Sequence, residues 1–347
     1  MKNYNLIFAL LICIFLSACS SDDDTPSNPD NPHLNYDYGF FVLNEGSSAG
    51  GTVSFVSTDL EEVSHDLFDL ENPNEELGLG LFLQSIFFDD TRAFVVSNGS
   101  NLISVVDRYS FELLGRIEQG LSVPRYGVIM DGKAYVTNQG DFMSTTDDFV
   151  AVIDLQSLEV ENSISVPGPI EFIEAHEGKL YIQSAAYNMG NQISILNPTT
   201  EQVQTISVSE ELNSIGIAGN TLYTLSASAI EKINLTDLSV STLLNFPSAT
   251  FPAKLEIENG KIYYSIGKDV FSFPVENPEL PTTPLLSYES TSEYGVMYGF
   301  EVEAGRIYIA DAGDFASNGS VHIFDEEGVF LKEIEVGIAP NGFYFNN

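Results

Sequence analysis

Two kinds of side chain in this sequence could meet a ligand directly, and they imply different chemistry. The first is the titratable set that catalysis or metal binding needs. The histidines are His33, His65, His176 and His322, and no two stand at metal-ligand spacing. His322 lies within the alternating run SVHIFD, where a strand-face role is expected. No serine sits in a Gly-x-Ser-x-Gly turn, and no glycine-rich phosphate loop is present. Paired acids such as Asp147-Asp148 and Glu75-Glu76 occur, but a chain with 50 Asp and Glu makes such pairs by chance. The expectation is a protein that is not an enzyme, with no metal and no cofactor. The enzyme alternative is a calcium-dependent hydrolase with acidic loops around an axis. The second kind is apolar and aromatic: Phe142, Met143, Tyr187, Met189 and Phe315, with Arg125, Tyr126, Tyr294, Met297 and Tyr298. Aromatic faces and soft thioethers with one guanidinium suit a broad, partly apolar organic ligand or a protein surface. The competing reading packs them onto the scaffold. Gly-Asp-Phe occurs at 140–142 and 313–315, either as an Asx-turn with a packed ring or as a ligand contact through Asp141 and Asp314.

The elements that position these residues are repeats. GFFVLNEG (39–46), TRAFVVSNG (91–99), GKAYVTNQG (132–140), GKLYIQSAA (178–186), NTLYTLSAS (220–228), GKIYYSIGK (260–268) and GRIYIADAG (305–313) are seven versions of one phrase. From Phe94 onward, Tyr135, Tyr181, Tyr223, Tyr263 and Tyr308 recur at intervals of about 40 to 46 residues. Second strands follow most copies, as in LISVVD (102–107) and FVAVID (149–154). No segment carries a persuasive helical period. Units of that length built from about four short strands predict an all-β, seven-bladed β-propeller over residues 36–347. One blade has two apolar faces, and a ring of blades covers them all.

The ends predict how the ring closes. The first unit begins at its aromatic strand, and NGFYFNN (341–347) follows the last unit. The C-terminal strand is therefore expected to complete the first blade, which removes an exposed sheet edge. In such a ring, the loop after the aromatic strand and the loop entering each innermost strand share one face. The first kind of loop is long at 44–51, 138–148, 184–191 and 311–319, and short around Ala227 and Gly267. These aromatics therefore gather on one sector of one face. On this reading, Arg125→Ala and Tyr126→Ala weaken a ligand with little change in thermal unfolding.

The N-terminus reads as export machinery. Lys2 precedes an apolar run from Leu6 to Leu16, too short to span a bilayer comfortably. Residues 1–18 are expected to be a signal peptide. Leu16-Ser17-Ala18-Cys19 resembles a bacterial lipobox, a resemblance that implies lipidation of Cys19. The other cysteine, Cys13, falls inside the signal, so the mature chain can form no internal disulfide. Residues 19–35 are then a flexible acidic tether, in which Ser21-Asp22-Asp23-Asp24 resembles the export signal of Bacteroidetes surface lipoproteins. With 13 Lys and Arg and a formal net charge of −37, the chain lacks the cation cluster that nucleic acid or an anionic membrane face requires.

Tyr135-Val136-Thr137-Asn138 spells the signature of the YVTN, or YncE-like, propeller family, which this chain resembles. Gly120…Pro124, Gly337…Pro340 and Val150-Ala151-Val152-Ile153-Asp154 match further features of that family. More narrowly, the layout is similar to Bacteroidetes surface propeller lipoproteins, some of which bind vitamin B12 above a TonB-dependent transporter. The resemblance implies an outer-membrane, lipid-anchored, cell-surface protein that captures a small organic ligand, a corrinoid first among candidates, for a TonB-dependent receptor. The alternatives are an adhesive or protein-interaction propeller and a lactonase-like hydrolase.

Overall fold

The computed structural model describes residues 36–141, 144, 146–290, 292 and 294–346. The signal peptide, Cys19, the tether, Phe142 and Met143 lie outside the described residues.

Among the described residues the strands form seven four-stranded antiparallel sheets, the blades of a β-propeller. Six blades are continuous in sequence and run from an innermost strand to an outermost one. The innermost strands of blades 2 to 7 are Leu83–Phe88, Pro124–Met130, Ile173–His176, Leu212–Ala218, Ala253–Glu258 and Gly299–Glu303. Blade 1 is composite. Its innermost strand is Pro340–Asn346, which pairs with Gly39–Ser47 in the register Phe40↔Phe345, Phe41↔Tyr344 and Val42↔Phe343. The expected closure by the C-terminal strand is therefore the closure seen.

The repeated phrase has a local cause. Asp131 and Gly132 lie between the innermost and second strands of blade 3 with φ of 50° and 78°. Left-handed conformations at both positions make the turn that matches the twist of a hairpin. Glu177-Gly178 and Asn259-Gly260 repeat it. The aromatic residue that follows then packs across to the next blade. Tyr308 of blade 7 meets Phe40 of blade 1 at 5.0 Å and Phe343 of the closing strand at 5.6 Å. Tyr135 of blade 3 shares a cluster with Ile173, Leu180 and Ile182 of blade 4. Each wedge thus buries its apolar face only because a neighbour is present. His322 is buried on the strand Asn318–Asp325, as its alternating context predicts.

One connection breaks the pattern. Between the two-residue outer strand Val63–Ser64 of blade 1 and Leu83–Phe88 of blade 2, the chain makes a five-residue helix, Leu67–Glu71. Sequence periodicity missed this helix because five residues barely exceed one turn. Leu67 and Phe68 anchor it in the core between blades 1 and 2.

Candidate functional site

The innermost strands all begin on one face, called here the upper face. The loops joining second to third strands reach the same face. In the loops that enter six of the innermost strands, a non-glycine residue takes a left-handed conformation: Phe82, Val123, Glu211, Phe251, Met297 and Ala339, with φ between 50° and 60°. Such backbone is uncommon outside glycine and carries a local energetic cost. Its recurrence shows that blade entry is a repeated turn of the architecture, and it delivers the next residues to the rim of the axis.

On the blade 3 and 4 side that rim is a hydrogen-bonded chain. Arg125 Nε donates to both oxygens of Glu171 at 3.2 and 3.0 Å, and Nη2 donates to Oε1 at 2.5 Å. Both side chains are only 11% exposed, which makes this the most buried ion pair among the described residues. Burial opposes the Arg125 charge, and the Glu171 carboxylate more than offsets it, so the guanidinium stays protonated. Gln139 Nε2 donates to Glu171 Oε2 at 2.7 Å, and Tyr187 OH donates to Gln139 Oε1 at 2.8 Å. The segment that presents Glu171 is held by Asp148, whose Oδ2 accepts from the backbone N–H of Ile170 at 2.8 Å. Burial pushes the Asp148 carboxyl up to about 6. Gly168 is required beside it, because a Cβ there would stand 2.0 Å from Asp148 Oδ2. Tyr126 packs on Phe172 at 4.1 Å and accepts from Gln84 Nε2 at 3.0 Å.

On the blade 7 and 1 side, the Tyr298 hydroxyl donates to Glu45, and its ring meets Phe315 edge-on at 4.9 Å. The two sides are close enough to act on each other. The Arg125 guanidinium acts on Tyr298 to lower its pKa, and Glu45 acts on Tyr126 to raise it. Burial dominates for both phenols and holds them protonated well above the ordinary tyrosine value.

Outward of this polar rim stand exposed apolar and aromatic side chains. Tyr187 is 55% exposed, Met189 53%, Tyr294 81% and Phe315 37%. Met297 is different. It is 4% exposed and packs with Tyr288 and Phe300, while its backbone N–H donates to the Tyr288 hydroxyl at 2.7 Å. The turn that follows Tyr294 folds Met297 back into the blade, so the expectation of an exposed thioether there is corrected. The expected indifference of stability to Arg125→Ala and Tyr126→Ala is also revised, because both side chains are built into the rim. Asp314 accepts from the backbone N–H groups of Ala316 and Ser317 at 2.9 and 2.7 Å. It therefore closes an Asx-turn that presents Phe315.

Sequence reasoning missed the acidic residues around the axis. Glu174, Glu256 and Glu301 project from the innermost strands of blades 4, 6 and 7. Burial raises all three above the usual carboxylate range, and the Glu256 and Glu301 carboxyls hydrogen-bond each other. One of that pair must carry a proton to donate. Lys254 Nζ donates to the Tyr298 carbonyl at 2.7 Å, and burial lowers its pKa. The missed signal was the alternation KLEIE (254–258) and FEVE (300–303), which reads as a solvated strand until the strand is placed at the axis. Among the described residues, no group of three or more His, Cys, Asp or Glu is arranged to hold a metal ion.

The sequence profile of a domain of unknown function, DUF5074, matches residues 38–346. The chain belongs to the DUF5074 family. No curated protein matches it in sequence. Among solved structures, this DUF5074 chain is similar to a quinonprotein alcohol dehydrogenase-like protein from Bacteroides thetaiotaomicron. That match has 17% identity and a TM-score of 0.68, and covers 90% of this chain and 79% of that one. It is also similar to a 6-phosphogluconolactonase-like protein from Bacteroides uniformis, with 15% identity and a TM-score of 0.62, over 90% of this chain and 100% of that one. Virginiamycin B lyase from Staphylococcus aureus matches with 13% identity and a TM-score of 0.56, over 75% of this chain and 87% of that one. At these identities the likeness is one of fold.

Proposed function

We propose that this DUF5074 propeller is a lipid-anchored outer-membrane protein that captures an organic ligand on its upper face and hands it to a TonB-dependent receptor. A corrinoid is the leading ligand. The observation that carries the reading is the ring of exposed side chains, Tyr187, Met189, Tyr294 and Phe315, standing around a rim whose polar groups are already bonded to one another. A broad ligand with an apolar plane and amide edges suits that pattern, since rings take the plane and Arg125, Gln139 and Tyr187 offer polar partners. A rim ordered before binding loses little entropy when a ligand arrives. A lipid on Cys19 and an acidic tether would keep that face close to a membrane receptor at high effective concentration.

The experiment is direct. Purified protein mixed with an equimolar amount of cyanocobalamin is passed over a sizing column. Co-elution of the corrinoid absorbance with the protein is expected. Its absence removes the corrinoid, and Tyr294→Ala then shows whether the exposed rings act on another ligand.

A further inference from the structure

A well-formed recess lies away from the axial rim, at the outer junction of blades 1 and 2. It arises where the chain leaves its repeat. Blade 1 has an outer strand of only two residues, Val63–Ser64, and the helix Leu67–Glu71 with the loop beyond it crosses to blade 2 in place of a full strand. The long loop of unit 1 forms the opposite wall. Between them is a cleft of about 470 Å³, within the size range of small-molecule sites. Its floor is Phe68 and Leu79, both buried, and Leu77 stands over it 65% exposed.

The charge around the cleft is mostly negative. Asp66, Asp69 and Glu118 line it. The cation that also lines it is tied into the wall: Arg116 donates to the carbonyls of Leu77 and Gly78 at 2.6 and 2.9 Å, lies 3.9 Å from a Glu75 carboxylate oxygen, and holds its guanidinium 5.5 Å from the centre of the Phe68 ring. Arg116 therefore fixes the loop that forms the wall. An apolar floor with three carboxylates around it is complementary to an apolar body carrying a positive charge. It opposes an anionic ligand, and it opposes an acidic peptide segment such as residues 20–35 of this chain.

We propose that this cleft is a second binding site, independent of the axial rim, for a small amphiphilic organic cation such as an aryl-alkyl amine. The apolar part lies on Phe68 and Leu79 beneath Leu77, and the ammonium group faces the carboxylates. Two features separate this from attraction of cations to an acidic protein in general. The site has a floor, and it can be filled. Gly78 lines the cleft and a Cβ there meets nothing within 4 Å, so a large side chain can be placed at the cleft wall without a clash at its Cβ.

Calorimetric titration with tryptamine, indole-3-ethanol, indole-3-propionate and ethylamine tests the proposal. These share the ring without the charge, or the charge without the ring. Tryptamine is expected to bind saturably, the alcohol more weakly and the propionate weakest, with ethylamine showing no saturable binding. Gly78→Phe abolishes tryptamine binding at unchanged net charge, and Ala49→Trp does so from the other wall. Asp69→Asn and Glu118→Gln each weaken tryptamine by about two- to fivefold, the range of an exposed ion pair, and leave the alcohol unchanged. Equal binding of tryptamine to the wild type and to both blocked variants, or tryptamine binding no tighter than ethylamine, overturns it. Cyanocobalamin binding is expected to survive Gly78→Phe, which keeps this site distinct from the axial one.

Discussion

On the blade 3 and 4 side of the axis, Arg125 meets Glu171, an opposite charge. On the blade 6 and 7 side, Glu256 meets Glu301, a charge of its own kind. Both pairs are deep in the protein, and desolvation penalises the charged form in each. Arg125 stays ionised because its bidentate contact with Glu171 offsets that penalty. The second avoids it by keeping a proton. One side of the opening is thus a fixed ionic clasp and the other a titratable one. The clasp lies among the residues expected to meet a ligand.

Breaking the ionic side should have the largest effect. Glu171→Ala leaves Arg125 buried without its partner and removes one of the two acceptors of Gln139 Nε2, the other being the Ile170 carbonyl. A loss of about 3–5 kcal/mol in urea unfolding is expected, the range for stranding a buried charge. A loss below about 1 kcal/mol would mean that the pair behaves like a surface bridge and that the contrast between the two sides is false.

The proton-sharing side should respond in the opposite direction and with pH. The carboxyls of Glu256 and Glu301 are raised in the folded state from an ordinary value of 4.5. Their contribution to stability is therefore fully present below 4.5 and is lost as pH rises toward their folded values. Glu174, Glu303 and Lys254 also act on the pair. Each proton that the folded state holds and the unfolded chain does not adds about 1.4 kcal/mol per pH unit to the decline. Glu301→Gln should flatten the curve between pH 4.5 and neutrality and stabilise the protein above it. A net charge of −37 adds diffuse repulsion with the same sign. The comparison is therefore made at high salt, where exposed charges are screened and buried ones much less so. Parallel curves for wild type and variant would show that the pair is solvated.

The contrast also marks what was legible in the sequence. The blade count and the closing strand could be read because both depend on spacing and alternation, as in Tyr135, Tyr181 and Tyr223, which mark one strand in successive units. Most of the exposed rings could be placed because loop length survives in a linear string. The axial carboxylates could not. Glu256 and Glu301 sit in strands that alternate like any half-solvated strand, and only ring closure turns their polar side toward the crowded axis. Arg125 was visible as a residue but not as half of a pair, since Glu171 lies in the next blade. Phe82 and Phe251, exposed at left-handed entry turns, were also missed, because left-handed backbone at a phenylalanine leaves no signature in composition.

A smaller effect sharpens how far the ionic side extends. Tyr187→Phe removes the hydroxyl that donates to Gln139 at 2.8 Å and keeps the ring. About 0.5–1.5 kcal/mol of stability should be lost, the net value of one hydrogen bond. If Tyr187→Phe weakens cyanocobalamin as much as Tyr187→Ala does, the hydroxyl rather than the ring is the recognition element.

The smallest effect on folding should come from Tyr294→Ala, and it separates scaffold from contact most cleanly. Tyr294 is 81% exposed, so truncation should move the unfolding midpoint by no more than about 0.5 kcal/mol. Aromatic contact is worth about 0.5–1.5 kcal/mol beyond area burial, so the Kd for a ligand seated on the upper face should rise by about two- to tenfold. Stability and affinity would then be carried by different residues of one site, the buried rim setting its shape and the outer rings touching the ligand. Unchanged cyanocobalamin binding in Tyr294→Ala, with binding lost in Phe315→Ala, would shift the contact toward the blade 7 and 1 side, where Tyr298 supports Phe315 edge-on.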